Sequence, residues 1–179
     1  MHYQQVIAFW FEEIDPKKWW KKDQAFDQLI KDRFGDLHRS AARCELSAWR
    51  REPAGRLAEI IVLDQFSRNI FRGLPQAFAQ DALALVLAQE ALTHKADQAV
   101  DSDQRSFFYM PFMHSESAAI HEQAVSLFTG KGMESSLDYE LRHKAIIDKF
   151  GRYPHRNEIL GRESTAEELE FLKQPGSSF

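Results

Sequence analysis

Two stretches of this 179-residue chain concentrate side chains able to hold an anion or move a proton. The first is "LDQFSRNIFR", Leu63 to Arg72, where Asp64, Arg68 and Arg72 recur at intervals of four. The second is "FGRYPHRNEILGR", Phe150 to Arg162, which places Arg152, His155, Arg156, Asn157 and Arg162 around Tyr153-Pro154. An arginine is a permanently charged flat fork of donors that grips a carboxylate or phosphate in a bidentate way. A histidine beside it adds a donor or acceptor that switches near neutral pH. Asp81, His114 and Glu116 supply further groups for the same chemistry. The expected ligand of such a set is an anionic small molecule or peptide. The alternative use of each arginine is structural, on helix-end carbonyls and buried aspartates, and both uses stay open in the sequence.

Helices must position these groups. Val6, Ile7, Trp10 and Ile14 recur at helical spacing, and Phe26, Leu29, Ile30, Phe34, Leu37, Ala41 and Cys44 continue the period in a second helix. Pro53 and Gly73 bracket a third, and Pro75 opens a fourth that runs toward Thr93. A turn over Phe107 to Met110 stops at Pro111. Helices over Ser115 to Phe128 and Leu137 to Phe150 end on Gly130 and Gly151. Ser164-Thr165-Ala166-Glu167 reads as a capping box that starts the last helix. After Gly151 the chain forms a structured loop, with Ile159 and Leu160 turned inward. The fold class is all-α, with roughly eight helices in antiparallel pairs, as one domain over 1–179. The tail 174–179 reads as flexible, although its Phe179 has the option of tucking into a groove.

On the third helix Leu57, Ile60, Ile61 and Phe71 share a stripe with Asp64, and Arg68 lies one turn on. An isolated buried charge costs several kcal/mol, so an Asp64–Arg68 pair is expected. Asp81 lies on the otherwise apolar stripe of the next helix and is expected to receive an arginine from elsewhere. His143 sits among Tyr139, Ile146 and Ile147 and reads as a satisfied core histidine. His114 and His121 share one helix face if that helix reaches back to His114.

Composition narrows the classes. A formal net charge of −4 argues against a nucleic-acid binder, and no apolar run reaches the length that spans a bilayer, so no membrane partner is expected. Cys44 is the one cysteine, which excludes an internal disulfide and fits a cytoplasmic protein. No metal site and no cofactor are expected. Glu140-Leu-Arg-His143 has the Glu-x-x-His spacing of a di-metal bundle but lacks the second copy that such a site requires. There is no glycine-rich phosphate loop, zinc motif or nucleophile elbow.

"IVLDQFSRNIFRG" (Ile61–Gly73), "FFYMPFMHSE" (Phe107–Glu116) and "FGRYPHRNEILGR" resemble, in order and spacing, the bacterial family of domain of unknown function 924. The resemblance runs from "VIAFWF" and Trp19-Trp20 to the closing "PGSSF". It implies a tetratricopeptide-like all-helical fold, a right-handed superhelical array, and no established activity or catalytic residue. Ser67 stands where proline is often expected. Three functions compete: an anionic-ligand site using Arg68, Arg72, His114, His155 and Arg156; a peptide-binding helical module with Trp10, Phe11, Trp19 and Trp20 on its groove; and a metal-independent hydrolase or transferase pairing Asp64 or Asp81 with His114 or His155.

Overall fold

A computed structural model describes residues 1–130 and 132–179, and among them there are helices and turns but no strand. The chain divides into two compact units, one of 1–72 with 76–111 and one of 73–75 with 112–179.

In the first unit, α1 (Tyr3–Ala8) runs on through a π-turn, Phe9–Glu13, and a short 3-10 turn, Pro16–Trp20, leads to α2 (Gln24–Ala42). Asp23 caps α2, its carboxylate accepting from Ala25 N and Phe26 N. The α2 stripe Phe26, Ile30, Phe34, Leu37 and Ala41 is buried as its spacing predicts. Two members of the expected stripe are not. Leu29 is 47% exposed, and Cys44 lies beyond the helix end with a φ of 60°, exposed. The helical phase no longer applies once the backbone has turned left-handed.

Pro53 opens α3 (Pro53–Ile61), which continues through a second π-turn, Val62–Phe66, into α4 (Ser67–Ile70). Every residue from Leu57 to Ser67 is buried, so this continuous helical segment is central to its unit. It packs against α1, α2 and α5 (Asp81–Thr93). Phe9, Phe34 and Phe66 meet with ring centroids 4.9–6.1 Å apart, and Trp10 joins at 5.5 Å from Phe66. Each such ring stabilises the fold by about 2–3 kcal/mol through burial.

The next helix, α6 (Ser102–Met113), is longer than the turn expected before Pro111 and carries that proline inside it. Pro111 falls in the last turn, where its missing N–H costs only the bond to the Phe107 carbonyl. The second unit holds the end of α6, then α7 (Ala118–Phe128), α8 (Glu134–Phe150) and α9 (Ala166–Phe171), with α7 packed on α8. Its small apolar cluster is Ile146, Ile147 and Tyr153, flanked by Phe150 and Phe171. The capping box of α9 lies one residue later than its sequence suggests: Thr165 is the cap and Glu168 its partner. Leu160, expected inward, is 36% exposed. No helix among the described residues is long and apolar enough to cross a membrane.

Candidate functional site

The first cluster is built on one face of the α3–α4 segment. Asp64 is 1% exposed inside the π-turn, and Arg68 follows by four residues, which on a helix brings the side chains together. Arg68 Nη1 lies 3.2 Å from Asp64 Oδ1 and also donates to the Asp64 carbonyl at 2.8 Å. The same guanidinium reaches across to the first residue of α5, donating to both oxygens of Asp81 at 3.0 and 3.1 Å. One arginine therefore clamps two carboxylates, and Asp81 needs no second one. Gln65 completes the group by donating to Asp64 Oδ2 at 2.6 Å.

Arg72 belongs to a different pair. It donates to Asp27 Oδ2 and Oδ1 at 2.5 and 2.7 Å, and the Asn69 amide donates to the same carboxylate at 2.8 Å. Asp27 lies in the first turn of α2, so this fork ties α2 to the end of α4. These residues all belong to the first unit.

In the second unit the loop after α8 is held by its own arginines. Gly151 ends the helix with a φ of +69°, a conformation that favours glycine, and Pro154 opens a 3-10 turn through Arg156. Arg152 donates to both oxygens of Glu168, at 2.7 and 2.8 Å, and to the Glu163 carbonyl. That fork holds the Glu168 carboxyl far down, at about 2, with the Thr165 N–H helping against the opposing effect of burial. Arg162 donates to both oxygens of Glu116, at 2.7 and 2.8 Å, to Asn157 Oδ1 at 2.9 Å and to the Tyr153 carbonyl at 3.2 Å. Glu116 also accepts the Tyr153 N–H at 2.7 Å. Burial pushes the Glu116 carboxyl up, but Arg162 and that N–H outweigh it and leave it below the ordinary range. Asn157 is fully buried and donates to Ser164 Oγ at 3.0 Å. Arg152, Asn157, Arg162 and Glu116 are thus the frame of the loop.

What the frame supports is a recess of imidazole and aromatic rings. Tyr153 is fully buried, donating its hydroxyl to the Met113 carbonyl at 2.5 Å. Arg156, 5% exposed, lays its guanidinium 4.6 Å from the centre of the Tyr153 ring and donates to the His114 carbonyl at 3.0 Å. His143 donates Nδ1–H to the Tyr139 carbonyl at 2.7 Å, a satisfied core histidine as its stripe implied. Its pKa is pushed down to about 3, first by burial and further by the nearby His114, His121 and His155, against that carbonyl. The Phe179 ring is seated here, with centroids 3.7 Å from His143, 4.7 Å from His155 and 5.3 Å from Tyr153. Ser177 anchors the approach, 5% exposed and bonded to the Leu172 carbonyl at 3.1 Å. Of the solvated end and the tucked ring that the sequence allowed, the structure has the tucked ring.

Behind Tyr153 lies a pair that no motif announced. His121 and Glu140 are both 0% exposed, with Nδ1 and Oε1 2.7 Å apart. The other ring nitrogen, Nε2, gives its hydrogen to the Ser115 carbonyl at 2.8 Å, with the Tyr153 hydroxyl 3.2 Å away. One proton is therefore shared between Nδ1 and a carboxyl whose affinity for it burial raises. The sequence offered two separate signals, a histidine on an α7 face and a glutamate on an α8 face, and nothing to join them. Glu168 and Asp27 were likewise unmarked as arginine partners.

The predicted set is thus distributed. Asp64, Arg68, Asp81 and Arg72 form two groups in the first unit, while His114, Glu116, Arg152, His155, Arg156, Asn157 and Arg162 belong to the second. α7 begins at Ala118, so His114 lies in the turn before it and not on its face. No group of three or more His, Cys, Asp or Glu that could hold a metal ion occurs among the described residues.

Comparison with known proteins places the chain. A solved structure described as a protein of unknown function, ATU0120 from Agrobacterium tumefaciens, superposes with a TM-score of 0.91 at 43% identity, covering 96% of each chain. No curated protein matches. The family profile described as "Bacterial protein of unknown function (DUF924)" matches residues 6–176, so the chain belongs to that bacterial family.

Proposed function

We propose that this protein binds a small molecule carrying both an aromatic ring and an anionic group, in the recess of the second unit. The observation that carries the reading is the seat of Phe179: its ring packs against His143, His155 and Tyr153 while the residue remains 50% exposed. A phenyl group that stays half exposed in its seat is an occupant that a ligand of similar shape can replace. Arg156, beneath the Tyr153 ring, supplies fixed positive charge beside the seat, and the His155 imidazole, in contact with the Phe179 ring, supplies a polar edge to it. Arg152 and Arg162 serve this reading indirectly, by setting the loop that presents His155 and Arg156.

A peptide-binding module is the second reading, favoured because the occupant of the seat is itself a segment of polypeptide. Acid–base catalysis draws less support, since the buried imidazole–carboxylate pair His121–Glu140 has no exposure to solvent. A cytoplasmic location belongs to the same proposal and rests on the exposed thiol of Cys44.

Thermal-shift titration of wild type and Phe179→Ala tests the reading. 3-Phenylpropionate is expected to stabilise the Phe179→Ala chain more than wild type, and benzyl alcohol, the same ring without charge, to stabilise it less. Acetyl-Gly-Ser-Ser-Phe outperforming 3-phenylpropionate selects the peptide reading. Equal shifts in both chains, or none, overturn the site.

A further inference from the structure

We propose that the turn Lys17–Lys22 is a docking surface for membranes that expose anionic lipids. It reads Lys-Lys-Trp-Trp-Lys-Lys, four ammonium groups placed symmetrically about two indoles. The 3-10 turn Pro16–Trp20 carries its first half, with Asp15 capping the start by accepting from Lys17 N at 2.9 Å.

The two indoles have different fates. Trp19 is spent internally: its Nε1–H donates to the Trp10 carbonyl at 3.0 Å and its ring meets Phe107 edge-on at 5.0 Å. Trp20 is 65% exposed, more than any other large apolar side chain among the described residues. One face of it stacks on Phe107 with an interplanar angle of 5° and a centroid distance of 6.1 Å, and Trp19 abuts it edge-on. The ring is therefore held in a fixed orientation with its outer face bare. A single exposed apolar residue is ordinary. An indole locked outward among lysines is less so.

Charge supplies the second argument. Residues 15–23 carry four lysines against Asp15 and Asp23, a local +2 on a chain whose formal charge is −4. Lys18 is partly engaged, with its Nζ 3.9 Å from Asp23 and 5.2 Å from the centre of the Phe26 ring. Lys17, Lys21 and Lys22 are exposed, and no carboxylate among the described residues is within ion-pair distance of them. Lys22 and Lys31 also line a groove of about 500 Å³ beside the turn, together with Asp23, Asp27 and Arg72, so the cationic surface is confined to the turn itself.

This combination fits the boundary between headgroups and acyl chains. Tryptophan partitions there because its ring is apolar and its N–H is polar, and lysine stems reach back to anionic headgroups. Each such lysine strengthens partitioning by about fivefold. A nucleic acid fits less well, because a strand needs a cationic track with several stacking rings along it, and one outward indole on one turn offers neither. The exclusion of membranes drawn from sequence concerned a spanning helix; a surface contact requires only this turn.

Co-sedimentation with phosphatidylcholine vesicles, with and without phosphatidylserine, tests the proposal, with tryptophan emission recorded in parallel. Binding is expected only with phosphatidylserine, with a blue shift in emission and weakening by added salt. The variant Lys17→Gln/Lys21→Gln/Lys22→Gln is expected to lose on the order of a hundredfold in partitioning. Trp20→Ser is expected to bind more weakly and lose the blue shift, and Trp20→Tyr, which keeps a ring on Phe107, to retain part of the binding. Lys17, Lys21 and Lys22 are exposed, so the melting curve of the triple-lysine variant should match wild type, whereas Trp20→Ser also uncovers Phe107 and is therefore read beside Trp20→Tyr, which keeps the stack. Failure of wild type to bind phosphatidylserine vesicles, equal binding to both vesicle types, an undiminished triple-lysine variant, or binding to a single-stranded oligonucleotide in place of vesicles each overturns it.

Discussion

Replacing Arg162 by alanine removes four donated hydrogen bonds from the loop at once: two to Glu116, one to Asn157 and one to the Tyr153 carbonyl. Were the pair fully buried, the stranded carboxylate would cost about 3–5 kcal/mol; were it fully exposed, about 0–1 kcal/mol. The side chains of Arg162 and Glu116 are 25% and 26% exposed, which puts the loss between those limits and nearer the first, at about 2–3 kcal/mol. Glu116 keeps the Tyr153 N–H, and water reaches part of the rest. Because the lost bonds are local to Tyr153–Arg162, the sensitive assay is native-state hydrogen exchange on peptides covering 150–162. A loss of 2–3 kcal/mol predicts protection of that segment falling by roughly 30- to 150-fold, since about 1.4 kcal/mol is one factor of ten. Arg162→Lys keeps the charge but not the fork and should recover less than half of the effect. Unchanged protection in Arg162→Ala would refute the view that this guanidinium frames the loop.

Three further outcomes follow from the same geometry. Glu140→Leu should lower stability by about 3 kcal/mol, because His121 Nδ1 is left buried without its partner, whereas the double variant Glu140→Leu/His121→Phe should recover much of the loss; calorimetry in which the double variant is worse than the single one by the full cost of each contradicts this. Arg152 depresses the Glu168 carboxyl when folded, so its contribution is present above the ordinary carboxylate value of 4.5 and is lost as pH falls toward about 2. In Glu168→Gln that loss should vanish, and melting temperature plotted over this window should be flatter than in wild type. Gly55→Ala should cost about 3 kcal/mol, since a Cβ there would stand 2.1 Å from the Trp49 carbonyl oxygen, a backbone atom with no rotamer to yield; a melting temperature equal to that of wild type rules the clash out.

Where a residue's environment is set by its own helix, sequence reading reached it. The Asp64–Arg68 pair and the α2 stripe, apart from Leu29 and Cys44, follow from spacing. Where a partner comes from a distant element, the signal was masked by a sufficient local explanation. Asp27 sits in the first turn of α2 and Glu168 at the third position of α9, places where carboxylates are favoured by the helix end itself. Neither therefore advertised the arginine it receives. His121 and Glu140 show the complementary limit: periodicity tells which face a group is on, but not which polar group on another helix meets it. Pro111 signals a stop because proline breaks helices, yet in a final turn the break costs one bond. The loop arginines, which sequence left divided between scaffold and ligand, divide in the structure as well: Arg152 and Arg162 into carboxylates, Arg156 onto an aromatic face.

The π-turn at Val62–Phe66 acts as a phase shift in the helical code. A π-turn accommodates one residue more than α-helical winding would, so every side chain after it is displaced by about 100° from where an uninterrupted helix would carry it. Ser67 and Arg68 both follow it: Ser67 is buried with its hydroxyl on the Leu63 carbonyl, and Arg68 reaches Asp81. Chain length within this segment is thereby a reading frame for the salt bridges. A relative one residue shorter between Ile61 and Ser67 would keep a sound α-helix yet point its arginine away from the position of Asp81, and a gap there in a pairwise comparison would announce the loss of the clamp before any side chain was inspected.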